Sequence, residues 1–282
     1  MVTVMATIET LLIENFLRRV DHSQLYDRAM RIPIVVYSLF VLLRDVFSFF
    51  DQLLMQPALL AQPDGGLVIA TLSRVSQWMF VALLAIVPVF RLRPLAKSDH
   101  ILPRLAALAA VCMPPLFMLL ARAPASLAFN SAAVVLGVTA NAMAVVTASF
   151  LGRSLSVMPE ARQLVKSGPY AIVRHPLYLC EMLGVVAVVL QYRSFSAMTL
   201  FFVIIALQIA RARWEEAVLV RAFPDFAAYR LGTPFLLPRD PAGFLAMFFV
   251  DTNARRRSAF VLFSTVGLLI LILAMLPRLA GS

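Results

Sequence analysis

Seven apolar stretches, at about 32–50, 67–90, 101–120, 127–151, 177–192, 195–213 and 259–276, constrain this chain more than anything else in its sequence. A helix needs about 20 residues to cross a ~30 Å hydrocarbon core, and most of these stretches reach or approach that length. Peptide groups find no water inside a bilayer, so such stretches fold as helices. Composition agrees: the chain is 61% hydrophobic and 14% charged, where soluble domains carry about 25% charged residues. The expected fold class is all-α, a multi-pass transmembrane helix bundle of about six or seven spans. The fifth stretch is short, because sixteen residues make only ~24 Å of helix.

Residues 1–31 are mixed, with Leu11, Leu12, Ile13, Phe16 and Leu17 beside Arg18, Arg19, Arg28 and Arg31; an interfacial helix is expected there. No cleavable signal peptide is expected, since a basic leader is missing and Glu9 and Glu14 interrupt the apolar run. Arg44-Asp45 lies inside the first stretch. Charges there cost about 2.5–3.5 kcal/mol each to insert, so the pair is expected to face protein, as a structural ion pair or helix contact. The two cysteines, Cys112 and Cys180, fall within apolar stretches far apart. That arrangement gives neither a disulfide framework nor a zinc spacing, and both thiols read as packing groups.

The formal net charge is +10, which in a soluble protein would raise the question of nucleic acid. Here the basic residues lie between apolar stretches, so orientation and anionic headgroups explain them, and no nucleic-acid partner is expected. With the N-terminus on the cytoplasmic side, nineteen Lys and Arg in and near the loops fall inside. Only Arg122, Arg193 and Arg278 fall outside. The chain is expected in a bacterial inner membrane with its polar segments, and any active site, facing the cytoplasm.

Polar chemistry concentrates in Ser167-Gly-Pro-Tyr-Ala-Ile-Val-Arg-His-Pro-Leu-Tyr178 and, some thirty residues on, in Arg211, Glu215 and Glu216. Pro176 suits the first turn of the fifth helix, which puts His175 at its N-cap beside free amides. A short turn at 192–196 makes the fifth and sixth helices antiparallel neighbours. The end of the sixth therefore meets the start of the fifth at one face of the membrane. Arg211 and Glu215, spaced i,i+4, share a helix face. Tyr170, Arg174, His175, Tyr178, Arg211, Glu215 and Glu216 are thus expected to converge in one small volume. Singly, each has an ordinary alternative as an N-cap, an ion pair or an interfacial anchor. Together they mark a site.

Nothing in the chain provides a Gly-x-Gly-x-x-Gly after a strand, a Gly-Lys-Ser/Thr phosphate loop or a His/Cys/carboxylate set at metal spacing. A carboxylate pair, a guanidinium, an imidazole and tyrosines beside lipid suit a zwitterionic, aromatic-bearing ligand and an amphiphilic co-substrate.

The run Leu164-Val-Lys-Ser-Gly-Pro-Tyr-Ala-Ile-Val-Arg-His-Pro-Leu-Tyr178, followed by Glu215-Glu216, Phe223 through Tyr229 and Pro234, resembles the isoprenylcysteine carboxyl methyltransferase family and its phospholipid N-methyltransferase relatives. The resemblance covers about residues 151–238. It implies an integral membrane enzyme using S-adenosylmethionine. It further implies cofactor contacts from Arg162, Gln163, Leu164 and Val165, from Tyr170, from His175, Pro176, Leu177 and Tyr178, and from Glu215. Arg211 then faces the methyl acceptor, and Arg211, Glu215 and Glu216 form the catalytic set. Two departures stand out: Leu155 lies near the place of a cofactor-contacting glutamine, and Arg162 opens a segment that opens with histidine in the eukaryotic enzymes.

The leading expectation is methyl transfer to a membrane lipid or a lipidated acceptor, with carboxylate O-methylation favoured and lipid amine N-methylation open. An NADPH-dependent membrane sterol or steroid-type reductase is a second reading. Such enzymes carry a similar arginine-histidine-x-x-tyrosine element, often with asparagine where Leu177 stands and an acidic residue where Glu181 stands. A transporter or scaffold is the third, although neither repeated halves nor broken mid-membrane helices are evident. The expected organisation is an N-terminal membrane region, 1–150, a catalytic core, 151–240, and an extra C-terminal span, 241–282.

Overall fold

The computed structural model describes residues 31–55, 65–98, 100–120 and 127–280, most of them helical. The interfacial helix expected within 1–31 and the start of the turn at 62–66 fall outside the described residues. Among the described residues, four helices are long and apolar enough to cross a membrane: α1 (Ile32–Leu54), α2 (Gly65–Phe90), α4 (Leu127–Leu151) and α6 (Phe195–Ala222). Between and after them come α3 (Ile101–Cys112), α5 (Pro176–Tyr192), α7 (Phe226–Gly232), α8 (Pro241–Val250) and α9 (Thr252–Ala280). The protein is an all-α integral membrane bundle, with α9 running through the seventh apolar stretch.

Two expectations about the elements need correction. The third stretch is not one continuous span: α3 ends at Cys112, and Pro114–Leu119 tightens into a 3-10 helix. Pro114 and Pro115 have no amide to donate, so an α-helix cannot pass through them intact. The C-terminal region 241–282, expected as one extra span, holds a second, shorter helix as well. It is α8, capped by Asp240, whose side chain accepts from the Gly243 amide at 2.9 Å.

The fifth and sixth helices form the expected hairpin. Pro176 opens α5 at its first turn, and Arg193 closes it in the left-handed region at φ 43°. Ser194 at once caps α6, accepting from the Ala197 amide at 3.1 Å. The pairing of α4 with α5 relies on small residues. A Cβ on Gly137 would sit 3.4 Å from that of Ala187, and Gly184 faces Ala140 and Asn141. Lipid supplies no hydrophobic drive between spans, so close backbone approach is what holds such a pair. Around it, one hydrophobic cluster draws Met143, Val146, Leu177 and Cys180 together with Phe244 and Phe248 of α8 and Val261 of α9.

At one end of the bundle, the loops after α2 and α4 are knitted together. Strands β1 (Ala96–Lys97) and β2 (Glu160–Ala161) pair antiparallel, Ala96 opposite Ala161 and Lys97 opposite Glu160. The Leu92 amide donates to Arg153 O at 2.8 Å and the Ser98 amide to Pro159 O at 3.2 Å. This two-residue ribbon holds segment 152–165 against the C-terminal part of α6. It is too short to show as alternating polarity in the sequence.

Candidate functional site

Backbone geometry at the start of α5 sets the site. His175 is the N-cap residue, and its side chain makes no capping bond, which leaves the ring free for another task. The Arg174 and His175 amides donate to Pro234 O at 2.9 Å and Phe235 O at 3.2 Å, so the strap after α7 clamps this corner. The Arg174 side chain completes the clamp: Nη1 donates to the carbonyls of Arg230 and Thr233, and Nε to Glu216 Oε1 at 2.6 Å. His175 Nε2 lies 3.1 Å from the same Glu216 oxygen. Glu216 is buried, and its charge joins α6 to the start of α5.

A cavity of about 700 Å3, counting its open mouth, lies on the other side of this corner. Arg162, Gln163, Leu164 and Val165 line it from the loop after β2. Tyr170, His175, Leu177 and Tyr178 line it from the start of α5 and the turn before it, and Arg211 and Glu215 from α6. Two sequence candidates stay out of it. Pro176 is buried in the first turn of α5, and Glu216 points from a neighbouring face of α6 into the pairs just described. Adjacent helical residues diverge by about 100°, which is why the Glu215-Glu216 pair divides.

Arg211 is buried and held from three sides. Nε donates to Val157 O at 3.1 Å, Nη1 to Gln208 Oε1 at 3.2 Å, and the guanidinium carbon lies 4.7 Å over the Tyr178 ring. Glu181 Oε2 is 3.8 Å from Nη1 and takes a 2.6 Å bond from Gln208 Nε2. An ionisable pair at this depth persists only with such partners. Glu215 accepts from Tyr178 Oη at 2.7 Å, which aims one carboxylate oxygen and leaves the rest toward the cavity. Arg162 is ion-paired with Glu160, whose other partner is Ser156 Oγ at 3.0 Å.

Tyr170 is the most telling member. Its phenol is buried, has no hydrogen-bond partner among the described residues and lines the cavity. Burial first, and the Glu215 charge second, push its pKa well above the ordinary tyrosine value, so it stays a neutral donor. A buried hydroxyl without a partner costs free energy, and a ligand in the cavity is the natural acceptor. Tyr229, also at the cavity, donates to Tyr170 O, and burial lifts its own pKa to about 12.

Just before Tyr170, Gly168 turns at φ +60°, and a side chain there would run into the Phe150 ring. Only glycine accepts both constraints. Ser154, Ser156, Glu160, Leu219 and Phe226, none of them expected from the sequence, also line the cavity. Ser154, Ser156 and Glu160 arrive through the ribbon register, and no local motif announces that. Leu219 was readable, being one turn beyond Glu215 on the Arg211 face.

Cofactor fit rests on this donor set. An acidic side chain for an ammonium, a neutral buried hydroxyl and aromatic faces at one mouth match the polar parts of S-adenosylmethionine. Among the described residues, no group of three or more His, Cys, Asp and Glu could hold a metal ion.

Residues 125–225, which contain α4 to α6 and nearly all of the cavity, match the model of the phospholipid methyltransferase family. Over 77 residues the chain is 40% identical to the cobalt-zinc-cadmium resistance protein CzcN of Cupriavidus metallidurans, covering 27% of this chain and 36% of that protein. Over 81 residues it is 36% identical to the nickel-cobalt-cadmium resistance protein NccN of Alcaligenes xylosoxydans xylosoxydans, covering 28% of this chain and 38% of that protein. The match therefore spans little more than a third of either relative. No solved structure matches the chain.

Proposed function

From a chain whose residues 125–225 match the model of the phospholipid methyltransferase family, we propose an enzyme that methylates a membrane-embedded acceptor with S-adenosylmethionine, at a carboxylate oxygen in preference to a lipid amine. The observation that carries the reading is the cavity itself. It gathers Arg162 to Val165, Tyr170, His175, Leu177, Tyr178, Arg211 and Glu215, with an unpartnered Tyr170 hydroxyl, at the end of the bundle.

The bound cofactor would supply an electrophilic methyl group on a sulfonium. Glu215, already aimed by Tyr178, would hold its ammonium, and Tyr170 would donate to one of its acceptors. The first amides of α5 and Arg162 would serve its carboxylate. Arg211 would hold the acceptor carboxylate in line, where positioning supplies most of the rate. Held by Arg211, the carboxylate oxygen would supply the electron pair of the new O–C bond, the pair of the broken C–S bond would stay on sulfur as a neutral thioether, and no proton would need to move. An amine acceptor must also lose a proton, and Glu215 is then the base.

The depth of the site supports a lipid-borne acceptor. The 28 residues of α6 make roughly 42 Å of helix, about 12 Å more than the hydrocarbon core needs. Measured from Phe195 at the far end, Arg211 and Glu215 then fall near the opposite headgroup boundary, which we assign to the cytoplasm.

Titrating purified protein with S-adenosylmethionine and with NADPH, and following tritiated methyl into membrane lipid, tests the proposal. Saturable S-adenosylmethionine binding, weakened in His175→Ala, with methyl in the lipid fraction is expected. NADPH binding and oxidation instead would establish the reductase reading. The two similar proteins are named for metal resistance. Growth of a deletion strain in graded cobalt, zinc and cadmium asks whether that context extends to this chain.

A further inference from the structure

Behind the cavity, α6 shows a second polar face. Arg213, Glu216, Ala217 and Val220 fall at i, i+3, i+4 and i+7, one stripe of the helix. With Arg174, Arg230 and Phe235 they line an open groove of about 960 Å3, counting its exposed mouth. The cavity takes the other stripe, Arg211, Glu215 and Leu219. We propose that this groove binds the phosphate of an anionic phospholipid headgroup.

Charge comes first. Three guanidinium groups face one carboxylate, a formal sum of +2. Glu216 is already shared, with Arg174 Nε at 2.6 Å, His175 Nε2 at 3.1 Å and Arg230 Nε at 3.6 Å. Arg213 is exposed and makes no ion pair with a described residue, so its charge is unneutralised. Arginines pair bidentately with phosphate, and basic pockets at this membrane face attract anionic headgroups.

Depth and apolar neighbours favour a lipid over a free anion. Arg213 lies about nineteen residues along α6, ~28 Å from its start, which is headgroup level for a ~30 Å core. Val220 and Phe235 give the groove an apolar wall. In α7 and the strap after it, which supply Arg230 and Phe235, Leu231 is 85% exposed and Leu237 71%. Exposed leucines of that kind beside basic residues suit contact with acyl chains.

The test equilibrates detergent-solubilised full-length protein with phosphatidylglycerol, with phosphatidylcholine or with inorganic phosphate, and reads retained molecules by native mass spectrometry. One retained phosphatidylglycerol is expected, preferred over phosphatidylcholine by about tenfold, as loss of a charge-assisted contact implies. Arg213→Gln should remove most of that preference and Arg213→Lys restore part of it. Arg213 is exposed and unpaired, so neither variant threatens the fold. Equal retention of the two lipids, or a preference unchanged in Arg213→Gln, overturns the proposal. So does displacement of phosphatidylglycerol by equimolar inorganic phosphate, which would make the groove a free-phosphate site. S-adenosylmethionine affinity belongs to the other face of α6, so the groove and the methyltransferase reading succeed or fail separately.

Discussion

Two adjacent glutamates carry different burdens. Glu215 faces the cavity with one oxygen bonded to Tyr178, while Glu216 is buried against Arg174 and His175. Removing one partner of a buried pair costs about 3–5 kcal/mol, because the other charge is stranded. Glu216→Ala should therefore lower the melting temperature far more than Glu215→Ala, and thermal unfolding of the two variants side by side checks it. Arg211 should add a catalytic effect to a stability cost, since its loss leaves the buried Glu181 without its counter-charge. Arg211→Ala, with Glu181 and Gln208 still paired to each other, should bind S-adenosylmethionine normally while methyl transfer falls by about 10²-fold or more, the scale of losing a group that positions reacting atoms. Full-rate transfer by that variant would remove its assigned role. Gly168 presents a backbone constraint instead. An alanine there meets a left-handed penalty of about 1–2 kcal/mol and the Phe150 ring. Gly168→Ala should both destabilise the protein and weaken cofactor binding, read by melting and by titration.

Among the elements, the C-terminal pair α8 and α9 lies beyond the segment matched to the family, yet it touches the site through an intermediary. Arg257 at the start of α9 donates to Ser149 Oγ at 2.9 Å, and its guanidinium carbon lies 4.1 Å over the Phe150 ring. Phe150 in turn packs on Gly168, which positions the turn carrying Tyr170. A cation–π contact of this kind contributes roughly 0.5–2 kcal/mol. Arg257→Ala should lower stability by about that amount and weaken S-adenosylmethionine binding. Arg257→Lys should recover part of the stability, and equilibrium titration of the three proteins reads both effects. From the sequence, 259–276 is expected only as an extra span. Its contact with the site depends on where α9 crosses α4, and no residue of α9 announces that.

The whole molecule is polarised along its axis. The ends of α2, α4 and α6 and the starts of α3 and α5 meet at the ribbon, where Arg153 Nε donates to Phe90 O and Arg221 reaches Lys97 O. The α5–α6 turn lies at the other end, where Arg193 stacks over Phe129. The basic bias of the first end fits a cytoplasmic orientation. A Cys112→Ser, Cys180→Ser background carrying either Lys166→Cys or Ser196→Cys tests it. A membrane-impermeant maleimide should label Ser196→Cys in intact cells and Lys166→Cys only after the membrane is opened. The reverse pattern would turn the molecule over and put the proposed headgroup groove in the outer leaflet.

By itself the sequence determined the helical class, the hairpin between Tyr192 and Phe195, and the set of residues able to meet at its open end. These follow from hydrophobic length, a proline at an N-terminus and helical periodicity, all local physics. Tertiary structure decided the rest. It gave Glu215 the cavity and Tyr178, gave Glu216 the partners Arg174 and His175, and brought Ser156 and Glu160 to the cavity through a two-residue ribbon. It also left the Tyr170 hydroxyl buried without a partner. Each of those outcomes is set by which neighbour occupies a given side of a helix or loop. That depends on contacts between residues distant in the chain, which no window of sequence contains.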